Sequence, residues 1–403
     1  MRVERKVIAI IMILSMWCSF ASCDDEFVED QNPTEDVDVI EDENNDDDST
    51  GDDTSEEGNT EEGNTEEGNG SDDTSKDGNR STIENKVFNE TLIIDGHEND
   101  SLLIKNCTFE NIDDIALVIK TVDEIIIRDC IFRNLNSHAI FLQAGQNSNN
   151  ITIEGNEIYD VSGIGIFAGE GHINTKCIYN KIHDVAFVDV EGHTPHGIYL
   201  CGKNFLIEDN TIYNCGSADG KGLGISVRSY GTISKNKIYN GRASGIAFSS
   251  DHPAFNGTLL IENNVIFDNY ENAIALYLSN EDSPLGNVTV RFNTMLSDNK
   301  PVVYANSWKS LSSELESYGN ILIRADGDDN YIDSSSSNPF SELQNLYSNK
   351  DIGFIDFNAR NFHLKSNAEA LNFATGINEF PEFDKENNRR ISSGLDAGAY
   401  EYK

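Results

Sequence analysis

One short pattern recurs along the chain and restricts what it can become. It reads apolar-x-x-Asn-x-apolar-aromatic, as in LIKNCTF, IIRDCIF, IEGNEIY, CIYNKIH, IEDNTIY, ISKNKIY, IENNVIF and VRFNTML, with its Asn or Asp at 106, 129, 156, 180, 210, 236, 264 and 293. Successive copies lie 23 to 30 residues apart, the length of one solenoid coil. Three residues before the Asn stand Leu103, Ile126, Ile153, Cys177, Ile207, Ile233, Ile261 and Val290; two after it stand Thr108, Ile131, Ile158, Ile182, Ile212, Ile238, Ile266 and Met295. These columns are expected to face inward and stack. A second strand follows each copy, as ALVI, AIFL, GIFA, GIYL, GISV, GIAF or AIAL, so each coil holds at least two strands. Short Ile-rich and Val-rich strands, separated by Asn and Gly turns with no helical period between them, predict a parallel β-helix. An Asn at the same turn of every coil would satisfy turn amides and pair with its neighbours above and below.

The acidic balance does not belong to this repeat. Of a net charge of −41, −23 falls between Asp24 and Thr82, where 25 Asp and Glu face only Lys76 and Arg80. That stretch includes TSEEGN and two copies of TEEGN and is almost free of branched apolar or aromatic residues. It reads as a disordered, self-repelling spacer. Before it, MRVERKVIAIIMILSMWCSFASC has a basic start, an apolar run and small residues ahead of Cys23, the layout of an export signal. FASC resembles a bacterial lipobox, and the DDE that follows resembles the surface-export signal of Bacteroidetes lipoproteins. The resemblance implies lipidation of Cys23, a membrane held through that anchor only, and a surface-exposed or secreted protein of the outer membrane. The expected organisation is 1–22 signal peptide, 23–82 lipidated acidic linker, and 83–403 β-helix domain with a closing segment. Five cysteines remain after export, an odd number. Cys107 and Cys130 each follow a repeat Asn or Asp, and stacking on adjacent coils would suit a disulfide.

From about residue 83 to 300 the chain resembles the right-handed parallel β-helix superfamily of polysaccharide lyases, epimerases and hydrolases, with HGIYL and IEDNTIYN close to its usual rung wording. NFHLKSNAEALNFA and GLDAGAYEY resemble the closing segment of secreted members. The resemblance implies an all-β, single-stranded right-handed solenoid of about 9–11 coils, expected to act as a monomer on an anionic polysaccharide, with no nucleic-acid partner.

Function in a solenoid lies where the period breaks, because extra residues must leave the packed coil as loops. The long gaps are DVAFVDVEGHTPH (184–196) and NCGSADGKGL (214–223), with SSDHPAFNG and NEDSPLGN at the opposite strand end on following coils. A groove over 197–273 is the expected result. With Ile198 and Leu200 inward, alternation turns Tyr199, Cys201, Ser226, Arg228, Ala247, Ser249, Ala275 and Tyr277 outward. Neighbouring coils lie about 4.8 Å apart, so Tyr199 and Arg228 can meet, with His196 at the strand entrance and Lys221 on the adjoining loop. His196, Tyr199, Lys221 and Arg228 are the candidate catalytic residues. His193, Lys203, Tyr230, Arg242 and His252 are the candidate substrate contacts. His183 shares a slot with Phe109, Phe132, Tyr159, Tyr213, Tyr239 and Phe267 and reads as a stacking residue, while His138 and His172 read as solvated turn residues. Asp189, Glu191 and Asp219 offer oxygen ligands that would suit Ca²⁺, but no defined loop motif surrounds them.

Between His196 and His252 six Lys and Arg face four acids, a locally basic strip. Cations of this kind would stabilise a uronate as its C5 proton leaves. The family comparison therefore puts a β-eliminating lyase first, a hydrolase second and a C5-epimerase third. The epimerase wording Tyr-Gly-Phe-Asp-Pro-His is replaced here by HGIYLC, and DGDDN at Asp326 lies outside the groove coils. A non-catalytic glycan-binding adhesin is the alternative from another class.

Overall fold

The computed structural model describes residues 80–96, 101–145, 148–186, 194–217, 220–249, 257–278, 286–307, 314–334 and 339–403, within a compact unit that spans Thr74–Lys403. Each coil contributes three strands, one to each of three parallel sheets. The first sheet runs from Ser81–Glu84 to Ser341–Leu343 and the second from Val87–Phe88 to Leu346–Ser348, with eleven strands each. The third runs from Leu92–Ile94 to Ile332–Ser334 with ten. Every strand in these sheets, the end strands apart, pairs with the strand one coil before and after, and no helix occurs among the described residues.

The turn between the first and second sheets sets the register. Its first residue takes a left-handed conformation in every coil, at Asn85, Asn106, Asp129, Gly155, Tyr179, Asp209, Lys235, Asn263, Phe292, Gly319 and Gln344. The residue after it stacks. Asn156, Asn180, Asn210, Asn236, Asn264, Asn293, Asn320 and Asn345 form one buried chain of Nδ2-to-Oδ1 hydrogen bonds at 2.9–3.0 Å. Each Oδ1 also accepts the backbone N–H of the preceding Asn, as Asn236 does from Asn210 at 3.0 Å. Nearly every buried amide of the turn is thus paired within the ladder.

This frame corrects the sequence reading of the first two coils. Asn106 and Asp129 are the left-handed turn residues, and Cys107 and Cys130 occupy the ladder. The frame moves by one residue, so Ile104, Ile127, Phe109 and Phe132 point inward while Leu103, Ile126, Thr108 and Ile131 do not. Phe109 and Phe132 therefore stack inside the solenoid, 4.5 Å between ring centroids. The outer column of the second sheet begins instead with Tyr159 and continues through His183, Tyr213, Tyr239 and Phe267, with centroids 4.7–5.2 Å apart and planes within 8°. His183 is a stacking residue there.

Cys107 and Cys130 are neighbours, but both are buried free thiols rather than a disulfide. The Cys107 N–H donates to Cys130 Sγ at 3.4 Å, the contact an Asn Oδ1 makes in later coils. Cys130 Sγ lies 3.8 Å from Ile104 O, where a ladder amide would donate. Burial pushes the Cys130 thiol up to about 12. Replacing Cys130 with Asn is expected to extend the ladder by one rung and stabilise the fold by about 1 kcal/mol. A higher urea midpoint with an unchanged slope checks this, and a lower midpoint would refute it.

From Val265 onward the outer face of the second sheet becomes apolar, and residues 351–403 cover it as a lateral strap. Phe354, Phe362, Leu364, Ala370, Ala397 and Ala399 pack on Val265, Phe267, Leu296, Ile321, Ile323 and Leu346. Polar contacts fix the strap to the ladder turns of successive coils. Lys235 Nζ donates to Asn387 Oδ1 at 2.8 Å, Asn263 Nδ2 to Phe383 O at 2.9 Å, Gly398 N to Gly319 O at 2.8 Å and Gln344 Nε2 to Thr375 O at 2.9 Å. Arg390 is its centre: buried, 4.6 Å from the Phe292 ring, donating to Asn263 Oδ1, Gly398 O and Glu401.

Candidate functional site

The third sheet presents two outward rows. Register aligns Phe141, Phe167, Tyr199, Ser226, Ala247, Ala275 and Tyr304 in one row, and places Ser249 beside Tyr277 and Asn306 in the next. Cys201 and Arg228 follow Leu200 and Val227, so they fall in that second row. The first row is aromatic at both ends and small in the middle. Tyr199 and Tyr304 stand four coils apart, roughly 19 Å at the spacing of neighbouring strands, with Ser226, Ala247 and Ala275 between them. Leu223 and Ala243 pack on these alanines, and Tyr277 and Tyr304 border the cluster.

Three of the four proposed catalytic side chains come together. The Arg228 guanidinium lies 4.9 Å from the centroid of the Tyr199 ring, and the His196 ring meets Tyr199 edge-on at 5.0 Å. Arg228 Nη1 donates to Ser226 Oγ at 3.0 Å, and Phe167 contacts Tyr199 from the coil before at 5.4 Å. The row is not an open floor, as an accessible groove had implied. Tyr199 is 3 % exposed, Arg228 4 % and His196 0 %. A planar cation over an aromatic face, taken out of bulk water, is held more strongly than an exposed one.

His196 is held through one ring nitrogen. The Leu223 N–H donates to His196 Nδ1 at 3.2 Å, so Nδ1 spends its lone pair on a backbone amide. In the neutral ring the proton then resides on Nε2, which makes the ring a donor. His138 occupies the same place two coils earlier, with Nδ1 accepting from Ile164 N at 2.8 Å and its ring on Phe141. It is therefore a packed residue, not a solvated one. So is His172, which is buried with Nε2 2.9 Å from Gln143 O and is held below the usual histidine range by burial.

Lys221 is exposed, and its carbonyl accepts from Ser217 N at 2.7 Å, closing a tight turn. That turn fits closely against the segment before His196: a Cβ on Gly222 would stand 2.0 Å from Pro195 O, and its φ of +97° suits glycine. Arg242 is exposed on the next coil, and its Cβ and Lys221 O would both lie 2.9 Å from a Cβ on Gly216. The two cations thus mark the entrance side of the strands. Lys203 sits on the exit side, half-buried, with its carbonyl accepting from Asn174 N at 3.1 Å. Tyr230 departs from a free substrate platform: its ring packs on the core, 2.4 Å from where a Cβ on Gly257 would stand. His193, His252, Cys23, Asp189, Glu191 and Asp219 lie outside the described residues.

Tyr277 and Tyr304 were absent from the sequence candidates although alternation turned Tyr277 outward. Their rings meet edge-on at 6.2 Å. Burial pushes the Tyr277 hydroxyl up to about 12, helped by the Glu271 charge and the Tyr304 ring and opposed by Arg228. Tyr277 therefore remains a proton donor near neutral pH. The acidic DGDDN loop is closed by an internal cation, since Arg324 bonds Asp326 at 2.5 Å and Asp328 at 3.0 Å. Among the described residues no group of three or more His, Cys, Asp or Glu is arranged for a metal ion.

Comparison with solved structures finds a complex of XylC with xylose (13% identity, 75% of this chain and 65% of that one, TM-score 0.48). It also finds the mannuronan C-5 epimerase AlgE4 A-module of Azotobacter vinelandii (14%, 67% and 87%, TM-score 0.46) and pectate lyase Pel9A (11%, 81% and 98%, TM-score 0.43). The chain spans slightly less than two thirds of the first of these. No curated protein sequence matches it. The family model described as the right handed beta helix region matches residues 49–166 and 145–322. Matched over that length, and built of parallel coils that each add one strand to three sheets, the chain belongs to the right-handed β-helix family.

Proposed function

We propose that the protein is a carbohydrate-active enzyme that cleaves a uronic-acid polysaccharide by β-elimination on the outer face of the third sheet. The observation that carries this reading is the buried Arg228 guanidinium over the Tyr199 ring, beside Ser226. Arg228, aided by Lys203, holds the sugar carboxylate and stabilises the charge that develops when C5 loses its proton. With His196 Nδ1 already accepting a backbone amide, Lys221 is the better candidate for base, and His196 Nε2–H is a donor to the carboxylate or a ring hydroxyl. The base removes the C5 proton, the C–H electron pair becomes the C4–C5 double bond, and the C4–O bond breaks. Tyr199 or Tyr277 then gives its proton to the departing oxygen. Arg242, exposed on the next coil, extends the contact to a neighbouring sugar. The same reading places the enzyme at the cell surface, anchored through lipidated Cys23 and spaced from the membrane by residues 23–82.

Incubation with pectate, alginate, glycosaminoglycans and algal sulfated glycans tests the proposal. New reducing ends together with absorbance near 235 nm are expected. Reducing ends without the chromophore would replace lyase by hydrolase, and C5 inversion without new ends would indicate an epimerase. Binding with no chemical change would identify an adhesin.

A further inference from the structure

The strap contains a cleft of about 330 Å³ walled by Leu371, Ile391 and Tyr402, with Asn372, Asn388 and Glu401 among its polar groups. We propose that this cleft is a second carbohydrate site that binds one neutral pyranose unit through the Tyr402 ring and the surrounding amide and carboxyl groups. The choice of a sugar rests on the reading of the protein as carbohydrate-directed; the cleft and its polarity do not.

The chemistry of the walls selects the ligand class. Ile391 is 64 % exposed and Tyr402 47 %, so an apolar aliphatic and aromatic pair stands at the surface of an otherwise polar turn. The flat, C–H-rich face of a pyranose suits such a pair. The acidic residues beside it are already committed. Asp396 accepts from Asn372 N at 2.7 Å and Tyr402 N at 2.8 Å, and Asp384 accepts from Glu386 N, Asn388 N, Asn388 Nδ2 and Glu401 N. They build the cleft and are poorly placed to capture a cation. Glu401 Oε1 is held by Arg390, and Glu401 also lines the cleft. Burial pushes this carboxyl up to about 7, against the pull of Arg390. Its oxygens can accept from a sugar hydroxyl. An anionic sugar would face Asp396; Arg390 is already engaged by Glu401, and the largely exposed Arg389 lies 3.6 Å from Glu382. Asn372 has a φ of 55°, and Gly394 leaves room beside its amide: a Cβ there would stand 2.8 Å from Asn372 Oδ1. The volume lies at the small end of ligand pockets, which run about 300–1,000 Å³, and suits one ring.

Saturation-transfer NMR on the mature chain, with methyl glucoside, galactoside and xyloside and the matching uronates as probes, tests the site. At least one neutral pyranoside is expected to bind more tightly than its uronate. Tyr402→Ala should weaken that binding at least tenfold and Tyr402→Trp should retain it. No binding by any neutral sugar, or equal binding by a folded Tyr402→Ala, would each overturn the assignment. Cleavage of a soluble oligosaccharide reports on the sheet-face reading separately: neutral-sugar binding through Tyr402 without cleavage defeats only the lyase, and cleavage without such binding defeats only the strap site.

Discussion

Replacing Arg228 with alanine is expected to lower kcat/KM for uronate-polymer cleavage by about 10²–10³-fold, the loss found when one preorganised stabiliser of developing charge is removed. The effect should appear mainly in kcat, because the carboxylate acquires most of its extra charge only as C5 is deprotonated. Lysine at the position keeps the charge but loses the planar guanidinium that lies over Tyr199 and donates to Ser226, so it should recover only part of the rate. Since Arg228 is buried, the melting temperature of each variant must be measured alongside the kinetics. A rate that follows folded fraction alone would make Arg228 a packing residue and remove the proposed mechanism.

The largest stability effect is expected from Asn236→Ala in the middle of the ladder. Asn236 is fully buried, donates to Ile207 O at 2.8 Å and Asn264 Oδ1 at 3.0 Å, and accepts from both the N–H and the side chain of Asn210. Alanine removes these bonds and leaves Asn210 N–H and Ile207 O without them in a buried turn. Each unsatisfied group costs about 1–3 kcal/mol, so a loss of about 3–5 kcal/mol is expected. Chemical denaturation measures it. A change below 1 kcal/mol would mean that the ladder is ornamental to a core already sufficient by itself.

The repeat was legible because Asn at a buried turn and Ile at alternating inward positions satisfy two independent physical demands at once. Where they coincide, from Asn156 to Asn293, sequence and structure agree residue for residue; Asn320 and Asn345 continue the ladder past the repeats recognised in the sequence. They part at Cys107 and Cys130, since a thiol can accept a backbone N–H in place of an amide oxygen and nothing in a single sequence announces that substitution. The nearby Asn106 and Asp129 supplied a false anchor: Asn and Asp also tolerate left-handed backbone, and that is their role here. A third strand per coil escaped notice because its alternation merges with that of its neighbours. In the site, period-two alternation placed Tyr199, Arg228 and Tyr277 on one face. It could not foresee that Leu223 N would occupy His196 Nδ1, since a hydrogen bond between coils depends on how two turns stack.

The strap also divides the solenoid mechanically. A stack of coils normally communicates only between nearest neighbours, so it can fray from either end. By bonding to Lys235, Asn263, Gly319 and Gln344, the strap ties together turns that would otherwise yield one after another. Tension entering at residue 80 meets first the coils ahead of Lys235, which hold on to one another by sheet pairing, ladder, ion pairs and core. They can peel away singly and absorb extension, while the bound block behind them must rupture as a unit.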